Sequence, residues 1–219
     1  MRNRVAVVAG PTGLTGGYLL RVLAEDAFFD SVVALSRRPM EFIHPKVITR
    51  QVDLADLPGA AIAGATHVFC CLGTTMRQAG NEAAFRAVDY EYPLHLARRA
   101  ATLGAQRFLL VSSVGANAHS GNFYLRVKGE LEDQLRGLPF EALHLFRPSF
   151  LMGMRAEKRP GEGLGLVLAR TLEWALVAGL RKYRPIAAAV LARAMAVTAE
   201  RGPAGVHVFD YENIMRWGG

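Results

Sequence analysis

A chain of 219 residues, 51% hydrophobic and 21% charged, can bury one large core but is too short for two domains of ordinary size. That composition excludes a long disordered chain. The formal charge of +7 is scattered, with no basic run and no basic-aromatic interleaving, so nucleic acid is not the expected partner.

The first element is the apolar run Val5-Ala6-Val7-Val8-Ala9, which stops at Gly10 and is followed by Gly13, Gly16 and the helical pattern Tyr18-Leu19-Leu20-Arg21-Val22-Leu23. A buried parallel strand feeding a tight turn and a helix reads this way. In a dinucleotide-binding turn Gly10 would serve the bend, Gly13 the approach of a pyrophosphate and Gly16 the packing of helix on strand. The amides of the first helical turn would then face phosphate charge. The spacing G-x-x-G-x-x-G is weak on its own and gains weight from its strand-turn-helix context; a glycine-rich turn without a ligand is the plain alternative.

Ser31 to Ser36 is the second predicted strand, ending in Arg37-Arg38-Pro39. NAD-specific folds place a carboxylate about 20 positions past the glycine loop. Ser36 stands near that position, no acid precedes Glu41, and two guanidiniums follow that suit a 2'-phosphate. NADP(H) is therefore expected over NAD(H), against a plain surface arginine pair. Val47 to Leu54 is the third strand, with Asp53 at its end either accepting from an adenine amino group or capping a short helix. Thr66 to Cys71 is the fourth strand and opens into the small-residue loop Leu72-Gly73-Thr74-Thr75, where an open parallel sheet would receive a ribose. The adjacent Cys70 and Cys71 should point to opposite faces, which argues against a disulfide between them and fits a reducing cytoplasm.

Asn81 to Leu103 carries one long helical pattern, with a kink expected at Pro93. Arg107 to Val111 is the fifth strand and ends in Ser112-Ser113-Val114-Gly115. A polar loop leads to a helix over Tyr124 to Leu138, and Phe140 to Phe146 is a sixth strand. Met152 to Gly165 is expected as a loop over the site, followed by helices over Leu166 to Gly179 and Pro185 to Glu200 and a last strand over Val206 to Asp210. No export signal is read at the start. The apolar stretch Leu164 to Leu180 is interrupted by Arg170 and Glu173 and falls short of the roughly 20 residues a membrane span needs. Alternating strands and helices predict one α/β domain over residues 1–219: a doubly wound parallel, Rossmann-like sheet with a small helical C-terminal elaboration. Residues 151–219 would supply the substrate-side loop and helices.

Tyr124-Leu125-Arg126-Val127-Lys128 is the candidate for chemistry, because residues four apart share a helix face. An ammonium beside a phenol favours the phenolate and eases proton transfer, and the lysine can reach the ribose hydroxyls of a nicotinamide nucleotide. Ser113, at the end of a strand, could hold a substrate carbonyl, with Ser112 as the competing serine. The six histidines make no ligand pair at metal-binding spacing, so no metal is expected. The sequence lacks both the nucleophile elbow of α/β-hydrolases and the Gly-Lys-Ser/Thr of nucleotide triphosphatases.

Taken together, Gly10-x-x-Gly13-x-x-Gly16, Ser113 and Tyr124-x-x-x-Lys128 resemble the short-chain dehydrogenase/reductase superfamily. Phe69-Cys70-Cys71-Leu72-Gly73-Thr74-Thr75, Phe123 to Glu130, Phe146-Arg147-Pro148 and Arg159-Pro160-Gly161-Glu162 resemble its atypical branch of Tat-interacting-protein-like NADP-binding proteins, within the epimerase/dehydratase-like superfamily. By that resemblance Thr12, Gly13, Leu14 and Thr15 would line the pyrophosphate and Arg37 and Arg38 the adenosine phosphate. Leu72 and Gly73 would touch the ribose, Tyr124 and Lys128 would be the catalytic pair, and Leu151 and Arg159 would close over the cofactor. Asp89 stands where related enzymes often carry asparagine. The expectation is a cytoplasmic NADP(H)-dependent oxidoreductase acting on a small carbonyl or hydroxyl compound, with a homodimer or a protein partner compatible with the chain. The alternatives are an NADPH-sensing binding protein with little catalysis and, less favoured, a nucleotide-sugar epimerase.

Overall fold

The computed structural model describes residues 3–153 and 178–219. Among these, seven strands form one parallel sheet in the order β3-β2-β1-β4-β5-β6-β9. The strands are β1 (Val5–Ala9), β2 (Ser31–Ser36), β3 (Val47–Gln51), β4 (His67–Cys70), β5 (Arg107–Val111), β6 (Ala142–Phe146) and β9 (Gly205–Phe209). The doubly wound parallel sheet expected from the alternating pattern is the observed fold. β1, β2 and β5 occupy the residues predicted for them, because unbroken apolar runs are what a strand covered on both faces requires.

Alternation along each strand feeds two cores. Val7, Ala9, Val68, Cys70, Phe108, Leu110, Leu143 and Leu145 face one side, with Leu94, Leu96, Ala97, Leu131 and Leu135 from α4 (Tyr92–Thr102) and α5 (Phe123–Arg136) packed over them. Ala6, Val8, Val32, Phe69, Leu109 and Phe146 face the other, under Leu19, Leu20 and Leu23 of α1 (Leu14–Glu25), Leu191 and Met195 of α6 (Ala188–Arg201) and Ile214 of α7 (Tyr211–Gly218). Cys70 and Cys71 are free thiols that pack against opposite cores.

Four expectations are corrected. The long helix expected over Asn81 to Leu103 is divided into α3 (Glu82–Arg86), a π turn over Ala87–Glu91 and α4. Pro93 is the physical cause in reach. It has no N–H to give the carbonyl four residues back, that of Asp89, and its ring crowds that position, so the wider turn falls where the regular ladder cannot close. Met152 does not open a loop, because Leu151–Met152 (β7) pairs with Ile186–Ala187 (β8) as a separate two-stranded sheet. β8 occupies the predicted start of the penultimate helix, and α6 begins only at Ala188. Asp210 belongs to the following helix rather than to β9: its side chain accepts from the Asn213 amide and caps α7. A short helix, α2 (Met76–Ala79), also follows the β4 loop. The expected segment Leu166 to Gly179 lies largely outside the described residues.

Candidate active site

Strand order reverses between β1 and β4, which are neighbours although two strands separate them in sequence. In open α/β sheets the crevice beyond the carboxyl ends at such a point receives the ligand. The glycine loop and the β4 loop form its two walls and touch. Gly10 adopts φ +81°, and a Cβ there would lie 2.8 Å from the Cys71 carbonyl oxygen. A Cβ on Gly16 would lie 2.1 Å from the Gly10 carbonyl oxygen, so only glycine lets α1 start this close to β1.

Gly13, whose amide donates to the Gly10 carbonyl at 3.1 Å, is the N-cap of α1. Asn122 caps α5 and Asp210 caps α7 through side-chain oxygens, whereas no side chain caps α1. Thr12 and Gly13 are exposed, Leu14 is half-buried and Thr15 is buried. A helix start that is free of side-chain caps, glycine-lined and at the switch point fits a dinucleotide's pyrophosphate.

At the end of β2 the buried Ser36 hydroxyl accepts from the Arg38 amide at 3.3 Å, and Gln51 Nε2 donates to the Arg37 carbonyl at 3.3 Å. Both guanidiniums are exposed, and among the described residues neither pairs with a carboxylate. Asp53 is exposed and accepts from the Ala55 amide at 2.9 Å. It closes an Asx turn instead of capping a helix, since the next helical turn begins only at Gly59.

Asp89, 1% exposed on the π turn, accepts from the Thr74 amide through Oδ2 at 2.8 Å and meets Lys128 Nζ through Oδ1 at 2.8 Å. A Cβ placed on Gly73 would lie 3.5 Å from that Oδ1 and 3.9 Å from Nζ, so the pair sits directly behind the β4 loop. Burial opposes the Lys128 charge, but Asp89 and then Tyr124 outweigh it and hold the ammonium above the usual lysine range. Tyr124 lies one turn earlier on α5, half-buried, with its ring 5.7 Å from that of Phe85. Gly129 explains why α5 sits so firmly: a Cβ there would lie 2.2 Å from the backbone of Asn117 and Ala118, which crosses the helix at this point.

The two serines separate by environment. Ser112 is buried and donates to Glu132 Oε1 at 2.5 Å, while Ser113 is half-buried and donates weakly to the Val114 carbonyl at 3.3 Å. Glu132, 1% exposed, also accepts from Arg147 Nε at 3.0 Å and from its Nη2, which raises the Arg147 pKa, chiefly through those bonds. Ser112 and the arginine of Phe146-Arg147-Pro148 thus join β5, α5 and β6 beneath the crevice. Sequence reasoning found neither this cluster nor the partner of Asp89. Leu151 lies half-buried against the α1 core, and a Cβ on the neighbouring Gly153 would meet Leu14 at 2.8 Å, so this segment crosses the first turn of α1. Arg159 lies outside the described residues. Among the described residues no three metal-ligating side chains cluster, and no helix is long and apolar enough to cross a membrane.

Residues 6–129 match the family described as NAD dependent epimerase/dehydratase. The chain belongs to this family. The match runs from β1 to Gly129 and so spans the glycine loop, Asp89, Ser113, Tyr124 and Lys128. Among family relatives, protein HTATIP2 of Rattus norvegicus is 39% identical over 169 residues, covering 75% of this chain and 69% of that protein. The mitochondrial protein FMP52 of Debaryomyces hansenii is 36% identical over 157 residues, covering 70% of each. Those relatives bear out the resemblance read from the Phe69–Thr75 and Phe123–Glu130 motifs. Among solved structures, MoeE5 in complex with UDP-glucuronic acid and NAD has a TM-score of 0.72 at 18% identity, covering 93% of this chain and 75% of that one. A UDP-N-acetylglucosamine 4-epimerase from Methanobrevibacter ruminantium has a TM-score of 0.72 at 14% identity, covering 99% and 81%. At such identities the likeness to these structures is one of fold.

Proposed function

We propose that the chain is an NADP(H)-dependent oxidoreductase that interconverts a carbonyl and a hydroxyl on a small molecule. One juxtaposition carries this reading. The glycine loop touches the β4 loop at Gly10, and the β4 loop in turn lies against Lys128 at Gly73, which aligns an uncapped helix start with the Tyr124–Lys128 face. A nicotinamide nucleotide bound along that crevice supplies or accepts the hydride. The Tyr124 hydroxyl gives the carbonyl oxygen its proton, or takes it back in the reverse direction, and Ser113 holds the same oxygen by a hydrogen bond. Lys128 would hold the ribose hydroxyls of that nucleotide. Exposed Arg37 and Arg38, with no acid at the end of β2, support NADP(H) over NAD(H).

A second reading has an observation of its own. The Lys128 ammonium is already committed to Asp89 at 2.8 Å, so the phenol faces an ion pair instead of a lone cation, which suits a protein that binds NADPH and signals to a partner with little turnover. Free Cys70 and Cys71 support a cytoplasmic location, and fractionation tests this against the mitochondrial label carried by the FMP52 relatives.

Titration calorimetry with NADPH and NADH, together with mass spectrometry of any co-purified nucleotide, tests the cofactor. A carbonyl panel then tests the chemistry. Tyr124→Phe should keep NADPH affinity and lose turnover, whereas full activity of that variant on an identified substrate would refute the assigned role. Tight NADPH binding with no turnover on the panel favours the sensor.

A further inference from the structure

Asp89 is the one buried carboxylate that reaches both the cofactor loop and the catalytic helix among the described residues. Its two oxygens are divided between them: Oδ2 takes the Thr74 amide, and Oδ1 faces the Lys128 ammonium and has no other hydrogen-bond donor. An ordinary surface ion pair would not be built this way. Both side chains are nearly inaccessible, at 1% and 4% exposure, and the acid is delivered by a π turn that interrupts an otherwise regular helix. A π turn costs backbone regularity, and such turns recur where a side chain must be aimed at a site. Oδ1 and the ammonium sit behind Gly73, whose missing side chain leaves the loop backbone in contact range of the pair.

We propose that Asp89 is a positioning residue that clamps the β4 loop to the Tyr124–Lys128 helix and so fixes Gly73–Thr74 relative to Lys128 at the crevice. The proposal rests on the assignment of that crevice as the nucleotide site. Its consequence is that nucleotide affinity depends on the acceptor oxygen toward Thr74, and not merely on the presence of a buried ion pair.

The test compares Asp89→Asn with Asp89→Ala in the full chain. Asparagine keeps an oxygen for the Thr74 amide and loses the charge, while alanine loses both. Two readouts are used: hydrogen exchange at the Thr74 amide without nucleotide, and NADPH affinity by calorimetry. Loss of a hydrogen bond to a charged acceptor should speed Thr74 exchange and weaken NADPH binding about tenfold or more in Asp89→Ala, and Asp89→Asn should restore most of both. A purely structural ion pair predicts that both variants fall together, because each leaves Lys128 without its counter-charge, and that result overturns the proposal. Should Asp89→Ala fail to fold because it strands a buried ammonium, Asp89→Ala with Lys128→Met removes that burden, and exchange at Thr74 is compared with Lys128→Met alone. Equal protection of Thr74 in those two proteins also overturns the clamp. If the wild-type chain binds neither NADPH nor NADH, the nucleotide reading fails, whereas the Thr74 exchange comparison still decides whether Asp89 holds the loop.

Discussion

Acidification from pH 7 to 5 should cost this fold several kcal/mol before most carboxylates titrate, and two buried histidines are responsible. His67 is 5% exposed, walled by Phe28 and Phe29, and His144 is fully buried against Phe209 with its Nε2 2.9 Å from the Pro203 carbonyl. Burial, followed by the charge of Arg107, lowers each from 6.5 to about 4. The unfolded chain therefore binds more protons than the folded one between those values. Stability is fully present above pH 6.5 and is lost as the pH falls toward 4. Going from pH 7 to 5 this amounts to about 2 kcal/mol for each histidine, or about 4 kcal/mol together, from the usual 1.36 kcal/mol per pKa unit. Urea unfolding followed by circular dichroism at the two pH values measures it. The double variant His67→Phe with His144→Leu should be less stable at pH 7 but nearly flat across the range. A wild-type loss under about 1 kcal/mol, or a double variant that keeps the whole loss, would refute the assignment.

Gly16→Ala must push α1 away from the Gly10 carbonyl by more than an ångström, so both thermal stability and NADPH affinity should fall; an unchanged melting temperature would contradict the packing. The two serines should part company. Ser112→Ala should cost about 1.5–3 kcal/mol of stability, read in a thermal melt, by stripping a donor from buried Glu132, whereas Ser113→Ala should leave the melt unchanged and lower turnover. Replacing Arg37 and Arg38 with alanine should weaken NADPH binding about tenfold or more while leaving NADH nearly unaffected, and an equal loss for both nucleotides would remove the 2'-phosphate assignment.

The parallel strands and the glycine loop were legible along the chain because their causes are local. A strand covered on both faces must be apolar at every position, which marked Val5–Ala9, Ser31–Ser36 and Arg107–Val111 to the residue, and Gly10 and Gly16 stand where a side chain would strike the backbone next to it. Tyr124 and Lys128 were found by helical spacing alone. Pro93 and the Asp210-x-x-Asn213 cap were visible signals for the π turn and the last helix, and both were read wrongly because each sits inside a longer apolar pattern of the wrong period.

What only the tertiary structure decided is which distant polar groups meet. Asp89 reaches Thr74 and Lys128, and Glu132 gathers Ser112 and Arg147, across separations no periodicity encodes. The strand order that opens the crevice between β1 and β4, and the pairing of β7 with β8, are of the same kind. Local chain stiffness and hydrophobic alternation act over a few residues, whereas a buried charge is tolerated only where the packed fold brings its partner, so its identity emerges with the packing.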